Sequence, residues 1–160
     1  MKRKFAIVLL LLSISAVKVF SESGMKIKID NYEITVPSGW LAQRTDSAIV
    51  FMLYSPAEEN DDFQENGNLT VEKLPTKYSV KGYMDAARES LKTVYGNFTL
   101  IEEGKNYHII SGNINGTIVQ QIQFVEMKGN EVYILTFTSN PHNFKRYLET
   151  FKSIYKTFKY

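Results

Sequence analysis

Between Glu58 and Glu65 the chain places five carboxylates, Glu58, Glu59, Asp61, Asp62 and Glu65, and no basic residue. Hard divalent cations such as calcium take several oxygens at close range, which makes Asp61, Asp62 and Glu65 the candidate metal ligands. The calcium-loop order, alternating acids with a central glycine and a closing glutamate, is missing. A solvated acidic loop with Phe63 tucked into the core is the plainer expectation, and recognition of a basic partner is a third. Gln120, Gln121 and Gln123 interrupt an otherwise apolar run. Gln120 shares a strand face with Ile118, Ile122 and Phe124, whereas Gln121 and Gln123 share the other with Val119 and Val125. Such a face can hydrogen-bond a peptide or small ligand, so Phe63, Gln120, Gln121 and Gln123 are the candidate binding residues. The plainer expectation is that these glutamines face solvent.

Catalytic patterns are weaker. Ser153 and Lys156 spell Ser-x-x-Lys, a nucleophile motif, but no Lys-Thr-Gly partner accompanies it. A general base needs a nucleophile or an orienting acid beside it. No signature pairs His108 or His142 with one, so both read as surface or turn histidines. No enzyme activity is expected. Absence of cysteine excludes disulfides, Cys-ligated zinc, a thiol nucleophile and a lipid-modified N-terminal cysteine, and two histidines cannot make a three-His metal site. No cofactor is expected beyond the divalent cation weighed above.

The 160 residues suit a single domain, and 44% hydrophobic with 22% charged residues is an ordinary globular mix. The N-terminus reads as an address. Lys2, Arg3 and Lys4 precede a run of 13 residues, Phe5 to Val17, whose only polar members are Ser13 and Ser15. That is short for a membrane span of roughly 20 residues and fits a secretory signal peptide, residues 1–21. A cut after Ser23 and an uncleaved anchor are the alternatives. Four of the 19 basic residues leave with residues 1–21, so 15 face 17 acidic ones. The apparent basicity belongs to the signal and gives no argument for nucleic-acid binding.

The remaining chain alternates between strand and helix patterns. Two short strands are expected around Asp30-Asn31, and a third at Trp40–Arg44. Residues 48–53 are apolar at every position, which predicts a strand covered on both faces. A polar loop, 56–68, leads to a strand at 69–74. Ser79 is an N-cap for a helix with its stripe at Val80, Tyr83, Met84, Ala87, Leu91, Val94 and Tyr95, ended by Gly96. Strands follow at 97–103, 105–112, 117–127 and 131–138, with Asn115-Gly116 a strong hairpin turn. Asn140-Pro141 opens a last helix to about 157. Its basic residues, Lys145, Arg146, Lys152, Lys156 and Lys159, are read as a solvated face, with an acidic partner or anionic lipid as the alternative. The expected architecture is α+β, a mostly antiparallel sheet of about seven strands with helices on both faces, an α/β/α sandwich.

Several stretches also resemble the PsbP-like superfamily. They are Tyr32-Glu-Ile-Thr-Val-Pro37-Ser-Gly39-Trp40, then Ser55-Pro56, and Asp62-Phe63-Gln64-Glu65-Asn66-Gly67-Asn68 followed by Leu69-Thr70-Val71. The ending, Thr138-Ser139 with Phe144, Phe151, Ile154 and Phe158 on the last helix, is similar too. The resemblance covers about residues 26–158, which delimits one domain. The superfamily includes an extrinsic photosystem II subunit, a Ran-binding nuclear-import factor, exported bacterial DcrB-like proteins and chaperones for secretion-system effectors. The nearest resemblance is to the exported DcrB-like branch. The long N-terminal extension of the photosynthetic members is not seen, which argues against a photosystem role, and no metal-ligand set of that subunit maps onto this chain. The resemblance implies an exported binding or assembly-accessory protein, periplasmic or secreted. Its partner would be another envelope or secreted protein, with membrane contact only through an uncleaved signal. A cation- or small-ligand-binding module using loop 58–65 is the alternative.

Overall fold

The computed structural model describes residues 24–59 and 62–160. The expected signal at 1–21 lies outside the described residues. A hairpin of β1 (Met25–Ile29) and β2 (Tyr32–Val36) forms a sheet of its own. A second sheet holds β3 (Leu41–Arg44), β4 (Ile49–Tyr54), β5 (Asn66–Lys73), β6 (Gly96–Glu103), β7 (Tyr107–Ile114), β8 (Thr117–Lys128) and β9 (Glu131–Ser139). Its seven strands run in the order β3-β4-β5-β9-β8-β7-β6, every neighbouring pair antiparallel. Helix α1 (Val80–Val94) joins β5 to β6, and α2 (Pro141–Lys156) follows β9.

The caps act as their residue types dictate. Ser79 accepts from the Gly82 amide, and Asn140 from the Asn143 amide, with Pro141 in the first helical position. Asn115 and Gly116 both take positive φ, 52° and 91°, the requirement of a tight type I′ hairpin between β7 and β8. Two expected boundaries move. Tyr95, already extended, caps α1, so Gly96 opens β6 rather than ending the helix. Strand β5 begins at Asn66, so the polar loop is shorter than 56–68.

Alternation then sorts the core. Phe51, Leu53, Leu69, Ile122, Phe124, Leu135 and Phe137 point to one face and pack against Phe144, Phe151 and Ile154 of α2. The lone tryptophan, Trp40, joins them, its ring edge-on to Phe151. The β1–β2 hairpin extends this cluster and is tied to the chain end by paired backbone bonds between Glu33 and Lys159. Residues one step along each strand point the other way. There Tyr83 and Met84 of α1 pack on Val125, Val132 and Ile134, while Leu91 and Tyr95 pack on Ile110, Ile114 and Val119.

Strand β4 departs from expectation. Its apolar run predicts burial on both faces, yet Val50, Met52 and Tyr54 are only half-buried while Phe51 and Leu53 are sealed. The buried residues of α1 cluster with β7, β8 and β9 and none of their partners is on β4. The β4–β5 half of this face is therefore left partly open, and a cavity forms there.

Candidate functional site: a polar-floored cavity beside helix α1

The cavity has a volume of about 490 Å³ and lies between α1, the loop before β5 and the face of the sheet that α2 does not cover. Strand register lays polar side chains across its floor in rows. His108 is opposite Gln123, Gln123 opposite Thr136, Thr136 opposite Asn68, and Asn68 opposite Met52. The next row on the same face runs Gln121, Thr138, Asn66, Tyr54. Two residues of strand separate the rows, about 7 Å. Beyond the first row the floor turns apolar, through Val125 and Ile134.

Burial drives His108, Gln123, Gln121 and Thr138 to bond in sequence. Tyr95 donates to Gln121 Oε1 at 2.6 Å, and Gln121 Nε2 donates to Thr138 Oγ1 at 2.8 Å. Gln123 Nε2 lies 3.4 Å from Gln121 Oε1, which turns Gln123 Oε1 toward His108 Nε2, 2.9 Å away. His108 Nε2 therefore carries the proton and donates, and donation runs one way from His108 through the two glutamines to Thr138. Nδ1 of His108 is then a bare acceptor. It is buried and has no hydrogen-bond partner. Burial holds the imidazole below its ordinary pKa, and nearby Arg88 adds to this, so the ring is neutral at pH 7. Burial likewise pushes the Tyr83 and Tyr95 hydroxyls up. Tyr83 donates to Glu72 at 2.9 Å, and burial raises the Glu72 carboxyl.

The glutamines divide by parity. Gln121 and Gln123 are buried, at 3% and 8% exposure, which corrects the expectation of solvent-facing side chains; Tyr95 bonds the first and His108 the second. Gln120 is half-buried, belongs to the opposite face and does not line the cavity. Phe63 lines the cavity and packs on the cluster around Leu91 and Tyr95. His108, expected at the surface or in a turn, is 1% exposed. Its signal was there to read, since it shares strand parity with Ile110 and Ile114, but the partner that buries it comes from the fold. Thr136, Thr138, Asn68 and Tyr95 were missed for the same reason.

The acidic loop does not present its carboxylates together. Glu58 accepts two bonds from Arg146 Nη2, both at 2.9 Å, and one from Tyr147 at 2.6 Å. The Tyr147 hydroxyl, then Arg146, hold its carboxyl below the usual range. Glu65 is buried and accepts from Ser139 Oγ at 3.0 Å. Asp62 is exposed at the cavity wall, and Asp61 lies outside the described residues. Among the described residues no group of three His, Asp or Glu gathers as metal ligands. Glu58, Glu59 and Asp62 are exposed and Phe63 packs inward, as expected of a solvated loop with Phe63 tucked in, while Glu58 is paired with α2 and Glu65 is buried. Ser153 and Lys156 are both exposed on α2.

Solved structures share the fold that holds this cavity. The solution structure of cyanobacterial PsbP (CyanoP) from Synechocystis matches with a TM-score of 0.57 at 14% identity, over 93% of this chain and 98% of that one. The fold is PsbP-like. LpqN of Mycobacterium tuberculosis, described as involved in cell envelope biogenesis, matches at 0.56 and 13% identity, over 85% of this chain and 89% of that one. The yeast Ran-binding protein Mog1p matches at 0.62 and 5% identity, over 88% of this chain and 96% of that one. No family profile and no curated protein matches by sequence. At such identities the PsbP-like likeness is one of fold.

Proposed function

We propose that the chain is an exported, non-enzymatic accessory protein of the cell envelope that engages its partner or ligand through the cavity beside α1. The observation that carries this reading is the buried amide and hydroxyl floor, Gln121, Gln123, Thr136 and Thr138, open to a cavity of about 490 Å³. Concave sites with apolar walls and a few convergent polar groups are where proteins bind small groups. Contacts of α1 and α2 with residues of opposite strand parity support an α/β/α sandwich, with α1 covering its face only in part. The envelope role of LpqN, on a similar fold, and the signal-like N-terminus favour an exported accessory protein. His108 is bonded to a glutamine amide rather than to a carboxylate or nucleophile, which favours a non-enzymatic role.

The test is crosslinking in cells with a C-terminally tagged chain, on fractionated material, against Ala87→Trp. Ala87 is half-buried on the cavity wall, and the indole fills that space. The reading expects an exported protein and an envelope partner or ligand whose recovery falls in the variant. A cytoplasmic protein, or recovery indifferent to Ala87→Trp, overturns it.

A further inference from the structure

Glu72 carries a carboxyl group for which the protein supplies no counter-charge. It lies on β5, on the same strand face as Thr70, Asn68 and Asn66, and lines the cavity half-buried. Its Oε2 accepts from the Tyr83 hydroxyl at 2.9 Å, while Oε1 has no hydrogen bond among the described residues. No lysine or arginine among the described residues pairs with it. Charged groups taken out of water ordinarily have an opposite charge beside them. Here desolvation stands uncompensated and raises the carboxyl pKa. The bases of α1 are engaged elsewhere: Lys81 and Arg88 both pair with Asp85 and Glu103.

The rest of the wall agrees in sign. Its charged residues are Glu72 and Asp62, and no lysine or arginine lines it. An anion would enter against two carboxylates, and a neutral occupant would leave Glu72 without its counter-charge. Among the described residues no group of three His, Asp or Glu gathers to hold a metal, so the cation indicated is an organic one. One row along the sheet from Glu72, about 7 Å away, the lining turns apolar with Ile134 and Val125, against which Ala87 of α1 packs. An occupant that meets Glu72 therefore needs a cationic N–H at one end and an apolar body behind it. We infer that the cavity binds a primary alkylammonium, its N–H donated to Glu72 Oε1 and its alkyl chain lying along Ile134, Val125 and Ala87. This rests on the reading of the cavity as the working site and names the class of its ligand.

Three probes with the same tail test it by calorimetry on the purified chain at pH 7: octylamine, protonated at that pH, octanol and octanoate. Octylammonium is expected to bind roughly tenfold tighter than octanol, the scale of one charge-assisted hydrogen bond, with octanoate the weakest. Glu72→Gln keeps the side-chain volume and an acceptor for Tyr83, so it should fold and bind octanol as the native chain does. It should lose the preference for the ammonium. Asp62→Asn should keep that preference, because Asp62 is exposed to water.

Equal binding of octylammonium and octanol, or tighter binding of octanoate, would overturn the alkylammonium assignment while leaving the cavity as the binding site. So would a preference that survives Glu72→Gln or disappears with Asp62→Asn. If none of the three probes binds, the assignment falls, and if Ala87→Trp also leaves recovery in cells unchanged, the reading of the cavity falls with it.

Discussion

His108 Nε2 and Gln123 Oε1 meet at 2.9 Å across the β7–β8 pair, and this contact fixes which imidazole nitrogen carries the proton. A glutamine amide cannot take that proton away, so the ring is held as a neutral donor. Its pKa is lowered chiefly by burial, which has a consequence for stability. In the unfolded chain the imidazole titrates near 6.5. Below that pH the unfolded state binds a proton that the folded state refuses, so stability from this group is present above about 6.5 and is lost as pH falls toward the lower folded value. Urea midpoints measured between pH 7.5 and 5.5 should fall for the native chain and fall less for His108→Gln. Parallel curves for the two proteins would contradict the buried neutral ring.

Glu72 works with the opposite sign. Burial raises its carboxyl, so the folded state holds a proton that the unfolded state releases. Its contribution is present below the unfolded value of about 4.5 and declines as pH rises through the folded one. Glu72→Gln should therefore gain stability relative to the native chain as pH is raised from 4 to 7. Thermal midpoints over that range check it, and a gap that stays constant would exclude the raised carboxyl.

Gln121 receives from Tyr95 and Gln123 and donates to Thr138. Gln121→Leu keeps the volume but strands those three partners in a buried site. The loss should be about 1–3 kcal/mol, seen as a lower urea midpoint with unchanged slope. A native-like midpoint would mean that the chain of donation from His108 contributes nothing to the fold.

Gly67 sits opposite Phe137, and a Cβ built on it would lie 2.6 Å from Phe137 Cδ1. The ring is sealed between β5 and α2 and cannot swing aside. Gly67→Ala should cost about 1–3 kcal/mol by overpacking. Trp40, 4% exposed in the same cluster, reports it by fluorescence-detected unfolding. A variant as stable as the native chain would show that this core can relax around an added methyl.

Glu65 is buried with Ser139 as its side-chain donor, while its backbone carbonyl accepts from the Ser55 amide. Ser139→Ala should destabilise by about 1–3 kcal/mol, because it leaves a buried carboxylate short of a donor. Differential scanning calorimetry would show the lowered midpoint.

The antiparallel α+β class, the strands, both helices and their caps were legible in the sequence because they rest on local physics. Period-2 alternation, a 3.6-residue stripe, an Asn-Gly turn and Ser or Asn before a helix act within a few residues of one another. The PsbP-like resemblance likewise rested on residues that build strands and turns. The site was legible only in part. Gln121 and Gln123 stood out as polar interruptions of an apolar strand, but whether they met water or protein depended on where α1 would lie. His108, Thr136 and Asn68 are 28 and 68 residues apart along the chain, and only the β7-β8-β9-β5 order sets them in one row. The reach of α1 over β7, β8 and β9 but not β4 left half of one face open, where an apolar run alone predicted a closed strand. The acidic loop followed the same rule. Its charges could be counted from the sequence, but their pairing with Arg146 and Ser139 came from α2 and β9 folding back against it. Local propensity determined each element, and long-range packing decided which polar side chains would lose water and which would be left without a partner.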